Sequence, residues 1–308
     1  FHPTGMVWPP SVRGILVTEG VRGEGGILKN SEGRRFMFED IPPLYKESTA
    51  DTPEEGWRYV VGDREARRPP ELLTRDHVAR KIVKEVQEGR GSPHGGAFLD
   101  IAWIKEHIKD SEDHIKKKLP SMYHQFKELA EIDITEEPME VGPTLHYFMG
   151  GIRVDDDSQE TCVPGLFASG ECAGGMHGAN RLGGNSLSDL LVFGKLSGDG
   201  AIDYANKMDS LPEVDEDRVQ ELMRAATAPL NREEGSNPYL IQEKLQQMMQ
   251  RCVGIVRNAE DLQNGLEELE ELREEAKTVK AHASAQYNPG WNVALDLPNL
   301  IITAEAVI

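Results

Sequence analysis

A glycine-rich segment in the second half of the chain has the residue types of a loop that holds an anionic ligand. A short apolar run, Gly165-Leu-Phe-Ala-Ser-Gly-Glu171, precedes His177-Gly-Ala-Asn-Arg-Leu-Gly-Gly-Asn-Ser-Leu187, which opens into an apolar helix. Backbone amides and a helix N-terminus provide positive potential for an anion, and a carboxylate at a strand end can accept hydrogen bonds from a ribose. The segment from Glu171 to Leu187, called the cradle below, therefore predicts a site for a nucleotide-like ligand.

Four further motifs contain residues that could bind carboxylates or move protons. They are Phe1-His-Pro-Thr-Gly5, Leu16-Val-Thr-Glu-Gly-Val-Arg-Gly-Glu-Gly-Gly26, Thr74-Arg-Asp76 and Pro143-Thr-Leu-His-Tyr-Phe-Met-Gly-Gly151. Each is weak by itself, because a lone His beside Pro is more often a packed or surface residue, and a lone Arg opening a helix is usually a solvated charge. Their chemical meaning depends on their occurring together with the cradle.

Two regions, each predicted to contain both strands and helices, must position these motifs. Residues 1–143 combine strand-like runs at 14–18 and 26–29 with turns and a helix from about Arg75 to Glu88, which Thr74 is expected to cap. Residues 144–205 alternate strand-like runs at 151–154 and 166–169 with a helix over 186–205, a mixture that predicts an α/β domain. The Asp155–Ser158 cluster between strands is predicted to be a solvated turn.

Residues 206–308 are predicted to be mostly helical. Apolar residues recur at three-to-four spacing from Ile241 through Met248 and Met249 to Val256, and a second Glu-rich amphipathic stretch follows. A methionine stripe at this spacing indicates core packing. A final helix is expected from about Leu297.

The composition excludes several classes of protein. The 308 residues carry a net charge of −19, with 38% hydrophobic and 28% charged residues, which argues against nucleic acid as a partner. The three cysteines have no metal-ligand spacing, so we expect no metal site and a reducing compartment. No apolar run approaches the roughly 18 residues of a membrane span. Because Phe1 is not an initiator methionine, we expect the natural protein to begin earlier.

The five motifs, in this order, resemble the succinate dehydrogenase and fumarate reductase flavoprotein family. The resemblance runs from Phe1 to about Ala205, and the cradle is similar almost letter for letter to the flavin-contacting segment of that family. It implies a multidomain α+β and α/β fold. The implied parts are a mixed α+β capping domain at 1–143, the second portion of an α/β FAD-binding domain at 144–205, and a truncated helical bundle domain at 206–308.

The resemblance also implies a substrate and residues that bind it. The family interconverts succinate and fumarate, four-carbon dicarboxylates, against a flavin ring. Residues His2, Thr18, His146 and Arg181 match the positions that hold the two carboxylates. An Arg offers a planar fork to a carboxylate, while imidazoles and a hydroxyl add directional donors.

Three residues match the proton-transfer positions of the family. Arg75 matches the residue that exchanges a proton with the substrate carbon, and Glu19 and Arg22 match its relay to solvent. Because a guanidinium ordinarily remains protonated, we expect Arg75 to lose its proton only transiently and to act as an electrostatic clamp throughout.

FAD is the implied cofactor. Glu171 matches the position that contacts the flavin ribose, and further cradle residues match positions near the ring: Gly183, Gly184, Asn185, Ser186 and Leu187. The chain contains no G-x-G-x-x-G fingerprint for the pyrophosphate. The sequence therefore leaves open whether the flavin is covalently attached.

The resemblance extends to partners and location. The family flavoprotein docks on a subunit with iron–sulfur clusters, which passes electrons to a membrane anchor and quinone. It implies a peripheral subunit, without a membrane span of its own, on the cytoplasmic face of a bacterial inner membrane.

Three alternatives to a succinate dehydrogenase remain open. A fumarate reductase would run the same chemistry in reverse, and the residues do not decide the direction. An L-aspartate oxidase shares most of these motifs, but its cradle usually reads Asn-Arg-Leu-Ala-Ser-Asn-Ser, whereas this chain has Gly183 and Gly184. An inactive acidic scaffold is the non-enzyme alternative, which the filled catalytic positions argue against.

Overall fold

A small antiparallel sheet lies at the centre of the first part of the chain. The computed structural model describes residues Phe1–Ile308, which divide into two units, Phe1–Lys207 and Met208–Ile308. The sheet of the first unit has the strand order β1-β4-β3-β2. Its strands are β1 (His2–Met6), β2 (Ile27–Lys29), β3 (Ala97–Asp100) and β4 (Met139–Thr144).

The pairing of β1 with β4 brings distant parts of the chain together. His2 lies opposite Thr144 and Met6 opposite Val141, with an irregularity in the register between His2 and Gly5. The strands are close here, because a Cβ added at Gly5 would lie 2.7 Å from the Thr144 side chain. The residues that follow Thr144 therefore leave the sheet beside His2.

The first unit contains six α-helices. They are α1 (Gly20–Gly23), α2 (Pro53–Val60), α3 (Arg75–Gln87), α4 (Ser111–Lys118), α5 (Pro120–Ala130) and α6 (Asn185–Asn206). Helix α3 contacts both β1 and β4, and Val78 and Ile82 on its apolar face are fully buried. The predicted helix at Arg75 is confirmed. Thr74 is at the N-cap position, but its side chain makes no capping hydrogen bond.

Three of the predicted strands are wrong. The runs at 14–18, 151–154 and 166–169 form only isolated bridges, such as Leu16 with Gly5 and Ile152 with Ala173. Turns interrupt the pairing on either side, so no ladder extends. One of these turns is the predicted Asp155–Ser158 turn, which is confirmed because Asp155 accepts hydrogen bonds from the amides of Asp157 and Ser158. The strand β1 was not predicted.

The second unit is helical, as predicted. Its helices are α7 (Glu216–Asn231), α8 (Pro238–Cys252), α9 (Ala259–Ala276) and α10 (Pro289–Val307). Helices α8, α9 and α10 contact one another, and Ile241, Met248 and Leu297 are in their core, which confirms the interpretation of the methionine stripe.

The last helix begins earlier than the predicted Leu297. Pro289 is tolerated in the first turn, and the Asn288 side chain caps the helix by accepting from the Trp291 amide.

No helix in the chain is both long enough and apolar enough to cross a bilayer. The division of Phe1–Lys207 into parts at 1–143 and 144–205 stays a prediction.

We predict that Gly5→Ala lowers the free energy of unfolding by about 1–3 kcal/mol, because β1 and β4 must separate to admit the methyl group. Thermal unfolding of the variant and the parent measures this. The matched control is Gly23→Ala, since a Cβ at Gly23 would meet nothing within 4 Å. Equal melting temperatures for Gly5→Ala and the parent would contradict the close approach of the strands.

Candidate functional site

The three residues predicted to move protons lie next to one another. Arg75 is the first residue of α3, and its Nε donates to Glu19 Oε2 at 3.2 Å. Glu19 immediately precedes α1, and its Oε2 is also 3.9 Å from Arg22 Nη2. Arg75 and Glu19 are partly exposed, whereas the Arg22 side chain is fully enclosed. The structure thus forms a continuous Arg75–Glu19–Arg22 series that runs from an accessible surface into the interior.

Arg22 is a buried cation with few partners. Its Nη1 donates to the carbonyl oxygen of Glu71 at 2.5 Å, while its Nε and Nη2 make no hydrogen bond. Burial lowers the pKa of Arg22 to about 10, against the opposing effect of the Glu19 charge. Transient loss of a proton from this guanidinium is therefore less costly than from a solvated one. A cavity of about 10 Å³ borders Arg22 and Arg35, enough for one water molecule.

His2 and His146 form a second group. Their ring centroids are 5.7 Å apart, because β1 carries His2 and the segment after β4 carries His146. Burial, followed by the charges of Arg22 and Arg75, lowers the pKa of His2 from 6.5 to about 3. Burial and the charges of Arg75 and Arg181 also lower the pKa of His146. Both imidazoles are therefore neutral at physiological pH.

The tautomer of His2 depends on Thr4. The His2 Nδ1 atom lies 3.0 Å from the Thr4 carbonyl oxygen and 3.3 Å from the Thr4 amide nitrogen. When the amide donates to Nδ1, the neutral ring carries its proton on Nε2 and can donate it to a carboxylate. The shorter contact, to the carbonyl, instead requires the proton on Nδ1 and leaves Nε2 as an acceptor, so the backbone of Thr4 is compatible with either neutral tautomer of His2.

Thr18 lies in the loop that also carries Glu19. The preceding residue, Val17, is bonded to Thr4 twice, through its amide at 2.9 Å and through its carbonyl, which accepts from the Thr4 hydroxyl at 2.8 Å. The Thr18 hydroxyl accepts from the Gly20 amide at 3.3 Å. The loop is therefore tied to β1, the strand that begins with His2.

Arg181, in the cradle, stacks on an aromatic ring. Its guanidinium carbon is 4.4 Å from the ring centroid of Tyr147, the residue after His146. The Tyr147 hydroxyl donates to Asp189 at 3.3 Å, and His177 Nε2 is 3.4 Å from the same carboxylate oxygen. Burial and the Asp189 charge raise the pKa of Tyr147. The Arg181 Nε is buried without a hydrogen-bond partner.

Tyr147, His177 and Asp189 belong to the site although no role for them could be predicted from the sequence. Their only available signals were the position of Tyr147 beside His146 and an acidic residue, Asp189, in an otherwise apolar stretch of helix.

The cradle also approaches the start of α3. A Cβ added at Gly183 would lie 3.9 Å from Arg75 Nη2. The charges of Arg75, Arg181 and Glu171 all act on His146. The structure therefore brings Arg75, Arg181 and His146 into one region, beside His2 and Glu19.

The remaining cradle residues suit an anionic, hydroxyl-bearing ligand such as FAD. The Oε1 atom of Glu171, which is exposed, accepts from the Phe148 amide at 3.0 Å, and the other carboxylate oxygen can accept from a ribose hydroxyl. Gly184 has a left-handed φ of 84° and forms the N-cap of α6, where no side chain caps the helix. The helix N-terminus at Asn185, Ser186 and Leu187 is thus able to face an anion. No group of three or more His, Cys, Asp or Glu side chains could hold a metal ion.

Comparison with known proteins agrees with this arrangement. Residues 1–187 match the family model of an FAD binding domain, and residues 242–308 match that of the fumarate reductase flavoprotein C-terminal region. One of the subunits of the fumarate reductase (CoM/CoB) of Methanothermobacter marburgensis is 40% identical over 312 aligned residues. The chain belongs to the succinate dehydrogenase and fumarate reductase flavoprotein family. It is therefore a member of a family of FAD-dependent oxidoreductases.

Solved structures of this family have the same fold. Mycobacterium smegmatis Sdh1 in complex with UQ1 matches with a TM-score of 0.78 and 50% identity, over 99% of this chain and 46% of that one. A quinol–fumarate reductase with menaquinol molecules matches with a TM-score of 0.81 and 32% identity, over 99% of this chain and 50% of that one. The alignment with the Methanothermobacter protein covers all of this chain and 49% of the relative. The chain thus spans about half the length of the relatives it matches.

We predict that the complete protein loses stability as the pH falls from 6.5 towards 3, in part because of His2. The unfolded chain binds a proton at this imidazole below about pH 6.5, whereas the folded chain does so only near pH 3. At pH 5 the difference amounts to about 2 kcal/mol. The melting temperatures of His2→Gln and the parent should therefore converge between pH 7 and pH 5.

The control for this prediction is His124→Gln, because His124 is exposed on α5 and its imidazole is hydrated in both states. Its offset from the parent should stay constant over the same range. A constant offset for His2→Gln as well would contradict a buried neutral imidazole.

Proposed function

We propose that the complete protein is the flavoprotein subunit of a succinate dehydrogenase, which interconverts succinate and fumarate. The observation that carries this proposal is the junction of the Arg75–Glu19–Arg22 series with the region of His2, His146 and Arg181. Donors for carboxylates and a route for a proton would thereby meet at the edge of the cradle.

His2, Thr18, His146 and Arg181 would hold the two carboxylates of the substrate. Arg181 suits this role because its planar guanidinium can offer two parallel donors to a carboxylate. The imidazoles, neutral at physiological pH, would add N–H donors without adding charge. The Tyr147 ring holds the guanidinium of Arg181 in place by a cation–π contact.

Arg75, Glu19 and Arg22 would move the proton. In the oxidation of succinate, one methylene carbon loses a hydride and its neighbour loses a proton, which leaves the double bond of fumarate. Arg75 would exchange this proton with the substrate carbon, and Glu19, bonded to Arg75 at 3.2 Å, would exchange it with the guanidinium. The buried, less basic Arg22 would stabilise the charge of Glu19 and continue the relay.

Glu171, Gly183, Gly184, Asn185, Ser186 and Leu187 would hold FAD, with Glu171 on the ribose and the start of α6 near the ring. When bound, FAD supplies an acceptor or donor of the hydride at its N5 atom.

The partners and location belong to the same proposal. Relatives named succinate dehydrogenase flavoprotein subunit, as in Coxiella burnetii, support docking on an iron–sulfur subunit with its membrane anchor, as a peripheral protein at the cytoplasmic face.

A fumarate reductase is the second candidate, because relatives of that name, including the Escherichia coli protein at 34% identity, are equally similar. Turnover of succinate with a dye acceptor, compared with turnover of fumarate by a reduced dye, tests the reaction in both directions.

We predict that Arg75→Lys lowers kcat in the complete protein by about 10²–10⁴-fold, the range for loss of a positioned proton donor, while dicarboxylate binding persists because the charge is retained. Steady-state kinetics and ligand titration of the flavin spectrum measure these two quantities. Arg80→Lys is the matched control, because Arg80 is exposed on the same helix and pairs only with Asp76. Unchanged turnover of Arg75→Lys would refute the proton-transfer role.

We further predict that Tyr147→Leu raises the KM for the dicarboxylate about tenfold, because a partly desolvated cation–π contact of about 1–2 kcal/mol is lost. Tyr147→Phe keeps the ring and removes only the hydroxyl, so its KM should rise less. If Tyr147→Phe raises the KM as much as Tyr147→Leu does, the prediction is wrong. The contact of the Tyr147 hydroxyl with Asp189, and not the stacking of the ring on Arg181, would then support dicarboxylate binding.

A further inference from the structure

The place of Arg22 in the interior is set by one hydrogen bond. Its Nη1 donates to the Glu71 carbonyl at 2.5 Å, whereas its nearest approach to Glu19 is 3.9 Å. Its other nitrogens, Nε and Nη2, make no hydrogen bond. Because the Glu71 carbonyl is the one hydrogen-bond acceptor that this buried guanidinium contacts, the backbone of Glu71 determines where Arg22 lies relative to Glu19.

Glu71 is itself held by a buried ion pair. Its side chain is 1% exposed, and Arg35 binds both carboxylate oxygens, with Nε to Oε1 at 2.7 Å and Nη2 to Oε2 at 2.8 Å. The Arg35 guanidinium also lies over the Phe38 ring, 4.7 Å from its centroid. A two-point contact of this kind fixes direction as well as distance. Arg35 therefore fixes the position of the segment whose Glu71 carbonyl accepts the hydrogen bond from Arg22.

The same segment leads directly to Arg75. Glu71 is in a short 3-10 turn, Pro70–Leu72, with Pro69 before it, and α3 begins at Arg75. The two prolines restrict the backbone of this turn. Glu71 is thus joined to one arginine of the series by a hydrogen bond and to the other by a short length of chain.

We propose that Glu71 and Arg35 are positioning residues, which hold Arg22 and the start of α3 at the separation that Glu19 must bridge. Neither is among the residues assigned to the substrate or to FAD. Their effect is exerted through the Glu71 carbonyl and through the turn that precedes Arg75. The Glu71 charge also opposes the loss of the Arg22 proton that burial promotes.

The chain contains a matched ion pair that lacks these connections. Arg67 binds Glu55 through the same two atoms, with Nε to Oε1 and Nη2 to Oε2 both at 2.8 Å. Its other contacts are with Asp51 and the Lys46 carbonyl, and none is with the Arg75–Glu19–Arg22 series. Loss of that pair removes an Arg–Glu contact of the same geometry without disturbing the series.

The test compares Glu71→Gln with Glu55→Gln in the complete protein with its flavin bound. For Glu71→Gln we expect kcat with the dicarboxylate to fall about tenfold or more, as for a misplaced catalytic group, with KM within about twofold of the parent. The solvent deuterium isotope effect on kcat should rise, because proton transfer becomes slower relative to the other steps. Glu55→Gln should leave kcat and the isotope effect unchanged.

Arg35→Lys is the second variant, which keeps the charge beside Glu71 and loses the fork. Its kcat should fall less than that of Glu71→Gln, and the double variant should lose no more than the worse single one, since the pair acts as a unit. Parental kcat and isotope effect in folded Glu71→Gln or Arg35→Lys would overturn the proposal.

The inference rests on the proposed function, and the two fail separately. If the parent protein turns over neither succinate nor fumarate, the proposed function fails. If the parent turns over and Glu71→Gln behaves like Glu55→Gln, only the positioning role fails.

Discussion

The pairing of β1 with β4 is the constraint on which the rest of the candidate site depends. It places His2 opposite Thr144, so that His146 follows within two residues, and it forms the surface on which α3 packs. Helix α3 in turn carries Arg75 at its first position. A strand from the very beginning of the described chain and one that starts at Met139 thus determine the positions of two imidazoles and a guanidinium. Chemical groups far apart in the sequence share one rigid support.

The second constraint is electrostatic. The chain carries a net charge of −19, yet Arg22 and Arg75 act on the buried His2, and Arg75 and Arg181 act on His146. Burial, assisted by these charges, lowers the pKa of both His2 and His146, and burial makes Arg22 less basic. An anion that enters this region meets cations with few competing partners inside a protein whose exterior is acidic. The local arrangement of charge, and not the overall composition, therefore determines the electrostatic potential that an anion meets in this region.

Part of this arrangement could be predicted from the sequence. The helix at Arg75 has an apolar period and an N-cap residue, and the cradle has glycines before an apolar helix, so both are local signals. Strand β1 has none, because His2-Pro-Thr-Gly-Met6 lacks alternation and becomes a strand only by pairing with β4. The roles of Tyr147 and Asp189, 42 residues apart, and of Arg35 and Glu71, 36 apart, arise from tertiary contacts that no local pattern encodes. The strands wrongly expected at 151–154 and 166–169 were apolar runs that the fold pairs at single residues.

Helix α6 differs from α3 in how it is supported. Of its 22 residues only Asp189 is buried, and Leu187, Leu191 and Ile202 are each more than half exposed. Burial of apolar side chains is the main source of helix stability in proteins, and within this chain α6 obtains much less of it than α3 does. Within this chain, which spans about half the length of its relatives, the apolar side chains of α6 therefore form a surface that remains largely uncovered.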